Sequence, residues 1–475
     1  MEGIGLDRAR AALEKSAEDI SALLAPKRGI AFVGTATMTE ALRFQLARFE
    51  GVPCCLVNPN GGMAEDVPVY RSMRETPDEV DLAVIRVNAD RVGSIIEDCA
   101  ARGIRHAVVF SDSFAEIGGE GARLQEELAQ VLARTGVRML GPNTTDNAFE
   151  TLALPENPRG RRIALLTQSG ALGRAIVEGV DMGACFERWV SLGNEVDLEV
   201  ADFIHYFVDV DAVGVIACYV EGFKDLAKLR VALERALGAG KPVVAIKLGA
   251  TERAARFAAG HTGHDAGSEQ EVAAILEAYG VVRVNDLDVL LETANLFAKL
   301  PVGHGTRSAV FTMSGGVAGL IAEIFSQRGV PLPLFDEAMQ ARLHSLIAPN
   351  LNVCNPIDNG GGFILKSTTE TRQAAFDVIA GCPDVDLLVV GFNAAYGPVS
   401  DRTAADILAW APAGPLPIVA IWSSVKRDSA GYRDLVRSGA PIFSSITNCA
   451  NALAAFSRYT QARARFLAAD PAGQP

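Results

Sequence analysis

Three α/β domains in a row, each built on a parallel, doubly wound sheet, are predicted from three observations. Short apolar runs alternate with helix-like stretches along the whole chain, two Pro- and Gly-rich breaks interrupt the alternation, and one strand-turn-helix signature occurs twice. A length of 475 residues suits this count, at about 100–200 residues per domain. The first block opens with an amphipathic helix over 7–24. A buried strand at Gly29–Val33 follows, then Gly34-Thr35 and a helix running to about Phe49. Further strands are predicted at Cys54–Val57, Leu82–Val87, Ala107–Phe110 and Arg138–Leu140. The first break is LALPENPRGRR near 151–162. The second block then shows strands at Ile163–Thr167, Val213–Tyr219 and Val243–Lys247, with helices from Ala171 and over 223–238. The second break is KLPVGHGTRS at 299–308. Beyond it come strands Ser308–Met313, Leu387–Phe392 and Ile418–Trp422, and a helix near 447–466. The expected division is 1–150, 151–303 and 304–475. The echo lies in IALLTQSGALG (163–173) and SAVFTMSGGVAG (308–319), each a strand followed by T-x-S-G and a helix start.

The formal net charge of -13, from 44 basic and 57 acidic residues, argues against general nucleic-acid binding. It leaves room for a local anion site made of backbone amides at a helix start. Eight scattered cysteines without a C-x-x-C pair predict reduced core thiols rather than a zinc site or a disulfide framework. The stretch MEGIGLDRARAALEKS has no apolar signal-like core. No apolar run approaches the roughly 20 residues that cross a bilayer. A soluble, cytoplasmic protein without a membrane partner is expected.

Three strand-to-helix turns are candidate phosphate seats. Gly34-Thr35-Ala36-Thr37 follows the first strand, where free N–H groups and a positive helix end suit a nucleotide pyrophosphate, although the full G-x-G-x-x-G pattern is missing. Ser169-Gly170 and Ser314-Gly315-Gly316 occupy matching turns. Each serine is a candidate N-cap and each glycine lets an anion approach the backbone. Taken singly, each of these turns is ordinarily only a capped helix; two together could face one dianion. Of six histidines, His261 stands out in AAGHTGHDAGSEQEV, a small-residue loop with little bulk to pack against. Imidazole is a nucleophile near neutral pH, and a phosphohistidine is a reasonable covalent relay. A plain surface histidine is the alternative, and a metal site at His261 and His264 is disfavoured by the Gly-rich loop without cysteine. A phosphorylated imidazole needs its second ring N–H oriented by an acceptor. Glu221 closes the strand VGVIACYVEG at the edge where sites in parallel sheets gather.

Together these segments resemble the NDP-forming acyl-CoA synthetases, which include succinyl-CoA synthetase alpha subunits and ADP-forming acetyl-CoA synthetases. The likeness runs from about residue 25 to 460. VNPNGG (57–62), PVYRSM (68–73) and LGPNTTDN (140–147) are similar to the family's CoA domain. LLTQSGALG (165–173), SLGNEVDLEVADFI (191–204), CYVEG (218–222) and KLGATERAARFAAGHTGHDAGS (247–268) are similar to its second domain. TMSGGVAG (312–319) and NPIDNGG (355–361) are similar to its third.

The resemblance implies a Rossmann-like CoA domain and two flavodoxin-like domains. It implies that His261 is the phosphohistidine and Glu221 its orienting carboxylate, with the amides after Ser169 and Ser314 holding the phosphoryl group. CoA, a substrate, would meet Gly34, Thr35, Thr37, Asn58, Pro59 and Asn143. The implied reaction joins a carboxylic acid to CoA at the expense of a nucleoside triphosphate, through phosphohistidine and acyl phosphate. No segment reads as an ATP-grasp region, which would need roughly 200 residues. A separate ATP-grasp beta subunit, carrying the nucleotide and Mg²⁺, is therefore expected in a hetero-oligomer. The chain departs from the family pattern at Thr37-Met38, at IRVNAD (85–90), at SDSFAE (111–116) and at Gly260, where serine is usual. Two alternatives stand beside the ligase reading. One is a phosphoryl-transfer enzyme acting on a carbamoyl-type substrate without CoA. The other is a non-catalytic CoA-binding regulator.

Overall fold

The computed structural model describes residues 2–254 and 269–469. The first sheet holds β1 (Ile30–Val33), β2 (Cys54–Val57), β3 (Gly62–Ala64), β4 (Val67–Tyr70), β5 (Leu82–Ile85), β6 (His106–Val109) and β7 (Arg138–Leu140), in the order β3-β4-β2-β1-β5-β6-β7. Only the β3–β4 hairpin is antiparallel. Leaving β3 aside, the parallel strands run in the 3-2-1-4-5-6 order of a dinucleotide-binding fold, with its switch point between β1 and β5. The second sheet holds β8 (Arg162–Thr167), β9 (Phe186–Ser191), β10 (Val213–Val220), β11 (Val243–Lys247) and β12 (Val282–Arg283), ordered β12-β11-β10-β8-β9. The third holds β13 (Ser308–Thr312), β14 (Ile357–Asp358), β15 (Leu387–Phe392), β16 (Ile418–Trp422) and β17 (Ile442–Phe443), ordered β14-β13-β15-β16-β17. Both five-stranded sheets have the flavodoxin order 2-1-3-4-5. The repeated T-x-S-G motif therefore follows the equivalent strand of each, β8 and β13.

Alternation along the strands assigns each sheet face to a core. Ile30 and Phe32 of β1 join Ala164 and Leu166 of β8 in one apolar cluster, with the helix Glu2–Leu24 contributing Leu13, Ile20 and Leu23. Ile163 and Leu165 face the other way, into a cluster shared with Val310 of β13, Val389 of β15 and the long helix Ile446–Ala469. The outer faces of the first and third sheets have cores of their own. Two of the four cores thus draw walls from neighbouring domains. A polar clasp reinforces the first seam: Arg138 donates from Nη1 to Asp19 at 2.6 Å and from Nε to Asp197 Oδ2 at 3.0 Å.

Two expectations need correction. The helix after β1 does not start at the Gly34–Thr37 turn. It spans Glu40–Leu46, and its cap is Thr39, whose hydroxyl accepts from Leu42 N at 3.1 Å. Thr35 and Thr37 instead close a small turn through the Thr35 hydroxyl, 3.2 Å from Thr37 O. Strands β3, β4, β9, β12, β14 and β17 were not expected. Three of these are edge strands of the five-stranded sheets only two residues long, too short for periodicity to register. β9 is an edge strand whose Glu187 and Arg188 break the apolar run.

Among the described residues, no helix is long and apolar enough to cross a membrane.

Candidate active site

At the carboxyl edge of the second sheet, the ends of β8, β9 and β10 meet around Gln168. Glu221 follows β10 directly and is 1% exposed. Its backbone N–H donates to Gln168 Oε1 at 2.6 Å, and Gly222 N donates to the same oxygen at 3.2 Å. Gln168 Nε2 donates to Gly222 O and to Glu195 Oε2, both at 2.8 Å. Lys247, at the end of β11, donates its ammonium to Glu221 O at 3.0 Å and to Leu248 O. Burial pulls that ammonium below its ordinary pKa.

The helix Gly170–Val177 begins two residues beyond Gln168. Ser169 is its N-cap by position, yet its side chain accepts no hydrogen bond from the first turn, so those amides are left for another acceptor. The helix lies close against Trp189, because a Cβ on Gly173 would come within 2.2 Å of the indole. Trp189 Nε1 in turn donates to Thr167 Oγ1 at 2.9 Å. Beside Gly170 lie Thr145 Oγ1 and Ser191 Oγ, both buried and without a hydrogen-bond partner among the described residues. In the third domain, Ser314 does cap its helix Gly315–Gln327, weakly, accepting from Val317 N at 3.5 Å. Asp358 Oδ2 lies beside Gly315, so this second helix start already faces a carboxylate; Gly315 and Gly316 are exposed. His261 and His264 lie outside the described residues.

A buried polar layer supports the edge. Glu199 Oε1 and Asp202 Oδ2 share the Lys228 ammonium at 3.2 and 3.0 Å. Burial pushes the Glu199 carboxyl up to about 8 against the pull of Lys228, with Glu195 and Asp202 adding to the rise. A carboxyl with a raised folded pKa stabilises the fold while protonated, and that stability is lost as pH rises through the folded value. Denaturation midpoints should therefore fall between about pH 5 and pH 8, and Glu199→Gln should flatten this slope. Chemical denaturation of both proteins across that range checks it, and equal slopes would refute it.

The first domain presents two cavities at its switch point. One, of about 510 Å³, is lined by Gly34, Asn58, Pro59, Arg71, Arg86 and Arg91 among others. The other, of about 230 Å³, is lined by Gly34, Thr35, Phe32, Leu42, Arg86 and Phe110 among others. Gly34 permits the close crossing between them: its φ is +112°, and a Cβ there would fall 1.9 Å from Arg86 O. No guanidinium of Arg71, Arg86 or Arg91 pairs with a described carboxylate, Arg71 reaching Glu75 Oε2 only through its backbone N–H at 3.1 Å; Arg86 rests over the Phe110 ring at 5.0 Å. Three unneutralised guanidinium groups around one cavity suit a ligand with several phosphates. Sequence reasoning missed them, although Arg86 and Arg91 lie in or beside the divergent IRVNAD segment. Thr37 is exposed and lines neither cavity. Asn143 also lines neither. It sits at the seam, donating from Nδ2 to Asn194 Oδ1 at 3.3 Å, while Asn194 Nδ2 donates to Glu116 at 2.6 Å and Gln125 at 3.0 Å. The family motifs around Asn143 and Asn194 thus join the first two domains.

Residues 30–148 match the family model of a CoA binding domain, and residues 160–297 match that of a succinyl-CoA ligase like flavodoxin domain. The chain is 32% identical to the acetate–CoA ligase (ADP-forming) II subunit alpha of Pyrococcus furiosus, over 76% of this chain and 80% of that one. It belongs to the NDP-forming acyl-CoA synthetases. Within this family it is also 34% identical to acetate–CoA ligase (ADP-forming) I of Archaeoglobus fulgidus, over 70% of this chain but only 48% of that protein. A trans-feruloyl-CoA synthase from an unknown prokaryotic organism is 30% identical over 72% of this chain and 51% of its own length. The dinucleotide forming acetyl-coenzyme A synthetase 1 of Ca. Korarchaeum cryptofilum, solved with phosphate and ADP, superposes with a TM-score of 0.80 at 25% identity. That match covers 95% of this chain and 99% of that one.

Proposed function

We propose that this synthetase-family chain is the CoA-binding, phosphohistidine-carrying subunit of an acyl-CoA ligase. The observation that carries the reading is the junction at Gln168, where a buried strand-end carboxylate, Glu221, is tied to an uncapped helix start at Gly170. Such a junction suits a phosphorylated imidazole, with a carboxylate for the ring N–H and amides for the phosphoryl oxygens. His261 takes the imidazole role by its G-H-T-G resemblance. The γ-phosphoryl group passes to the imidazole nitrogen as the nucleoside diphosphate leaves. A carboxylate oxygen of the acid then attacks phosphorus and the P–N bond breaks, giving acyl phosphate. The CoA thiolate attacks the acyl carbon and phosphate leaves.

Residues 1–150 would hold CoA, with Gly34, Thr35, Asn58 and Pro59 supplemented by Arg71, Arg86 and Arg91. Thr37 and Asn143, also expected at CoA, line neither cavity, and Asn143 bonds across the seam. Residues 151–303 and 304–475 would hold the phosphoryl group through Ser169, Gly170, Ser314, Gly315 and Gly316. The nucleotide and its Mg²⁺ would sit on a separate ATP-grasp subunit. Support comes from the subunit name of the Pyrococcus relative and from the Archaeoglobus relative, about half of which this chain matches. Relatives named for acetate and for ferulate leave the acid itself open. All of them are named as CoA ligases or synthases, which favours this reading over the carbamoyl and regulatory alternatives.

The reverse half-reaction tests the proposal on the chain alone. A series of acyl-CoA thioesters with radiolabelled phosphate and Mg²⁺ should place an acid-labile label on the protein, and His261→Ala should abolish it. Calorimetry should show CoA binding, weakened about tenfold by Arg86→Ala through loss of one charge-assisted contact. No label from any thioester would overturn the ligase reading.

A further inference from the structure

Gln168 makes four hydrogen bonds to described residues with one carboxamide, two accepted and two donated. Reversing the amide would set its N–H groups against Glu221 N and Gly222 N, and its oxygen against Gly222 O and the Glu195 carboxylate. The orientation is therefore fixed, and Glu195 is the group that makes reversal most costly. Glu195 is 2% exposed and anchored through Oε1 to Val200 N at 2.9 Å. Its backbone φ is +53°, a conformation that a side-chain-bearing residue adopts at a cost. Gln168 also lies between Thr167, the last residue of β8, and Ser169, the N-cap of the helix at Gly170. A single residue thus spans from the amide cluster at that helix start to the strand end that bears Glu221.

We propose that Gln168, locked in orientation by Glu195, is the positioning residue that sets the Glu221 carboxylate relative to the amides at Gly170. The inference rests on the reading of Glu221 as the orienting carboxylate. A misplacement of about 1 Å at such a junction costs on the order of 100-fold in rate, so the pair governs phosphorylation through geometry.

The buried pair also predicts a pH signature that packing alone would not give. Gln168→Glu keeps the acceptor toward Glu221 N and Gly222 N but sets a second carboxyl oxygen against Glu195 Oε2. Two carboxyls so close must share a proton. When it is present, an O–H donates to Glu195 as the amide N–H did. When it is lost, like charges repel and the turn opens. Adding Glu195→Gln supplies an N–H donor from the opposite side and removes the repulsion between charges, leaving only the weaker opposition of the Gly222 carbonyl, which the amide N–H met at 2.8 Å.

The experiment measures initial labelling rates from radiolabelled phosphate, with whichever thioester labels the wild type, across pH 6 to 9. Wild type, Gln168→Leu, Gln168→Glu, the Gln168→Glu/Glu195→Gln double variant and Glu221→Gln are compared, with thermal midpoints alongside. Gln168→Leu should be about 100-fold slow. Gln168→Glu should approach wild type at low pH and lose about tenfold per pH unit above the apparent pKa of the pair. The double variant should follow the wild-type profile within about tenfold. Slow labelling by Glu221→Gln, combined with a wild-type profile for Gln168→Glu or no rescue in the double variant, would overturn the proposal alone. Full labelling by Glu221→Gln, or a wild type that no thioester labels, would overturn the parent reading and the proposal with it.

Discussion

Glu221→Gln should slow phosphoryl labelling of the chain by roughly 10²- to 10⁴-fold, the range seen when an orienting carboxylate loses its charge beside a working imidazole. The amide keeps the size of the carboxylate. The backbone on either side stays held, by Gln168 at the N–H groups and by Lys247 at the carbonyl. What disappears is the negative charge that favours one ring orientation and stabilises the positive ring charge that develops as the imidazole nitrogen takes up the phosphoryl group. Removing a charge from a site 1% exposed also removes a desolvation cost. The thermal midpoint should therefore hold or rise, and CoA affinity, set in the first domain, should stay unchanged. Labelling within about threefold of wild type would remove Glu221 from the chemistry.

The second large effect is on stability. Arg372 and Asp406 form a nearly dry ion pair in the third domain, with Arg372 4% and Asp406 3% exposed. Arg372 Nη2 donates to Asp406 Oδ1 at 3.0 Å and Nε to Oδ2. The guanidinium also holds Ser367 O at 2.6 Å and Thr369 Oγ1 at 3.1 Å, securing the turn between two helices. Asp406→Ala would leave the guanidinium buried against neutral oxygens, a loss of about 3–5 kcal/mol. Denaturant titration checks this, and a change below about 1 kcal/mol would show that water or a neighbouring group can replace the carboxylate.

The sheets were legible because their inner strands are buried on both faces. Runs such as IAFV, VVAIK and IVAIW can hardly be read otherwise, and the alternation with helices then fixes a parallel topology. The two-residue edge strands left no such trace. Glu221 and the T-x-S-G turns were legible because strand ends and helix starts are marked locally by Gly, Ser and a change of period. The arginine-lined cavity was not, since Arg71, after β4, joins Arg86 and Arg91, on the crossover after β5, and nothing in the spacing says so. Nor could the sequence show that Asn143 serves a domain seam, or that Gln168 and Glu195 share a hydrogen bond across 27 positions. Long-range polar pairing has no period to read.

The amino-terminal helix Glu2–Leu24 precedes the first sheet in the chain, yet its apolar face is buried in a core that includes residues of the second domain. Module exchange among such ligases is constrained accordingly. A chimera that trades the CoA-binding unit at a cut near residue 150 also trades the cover of its neighbour, and bares a stripe of leucine and isoleucine partners to water. Viable hybrids would keep residues 2–24 matched to the second unit they shield and place the junction at β1.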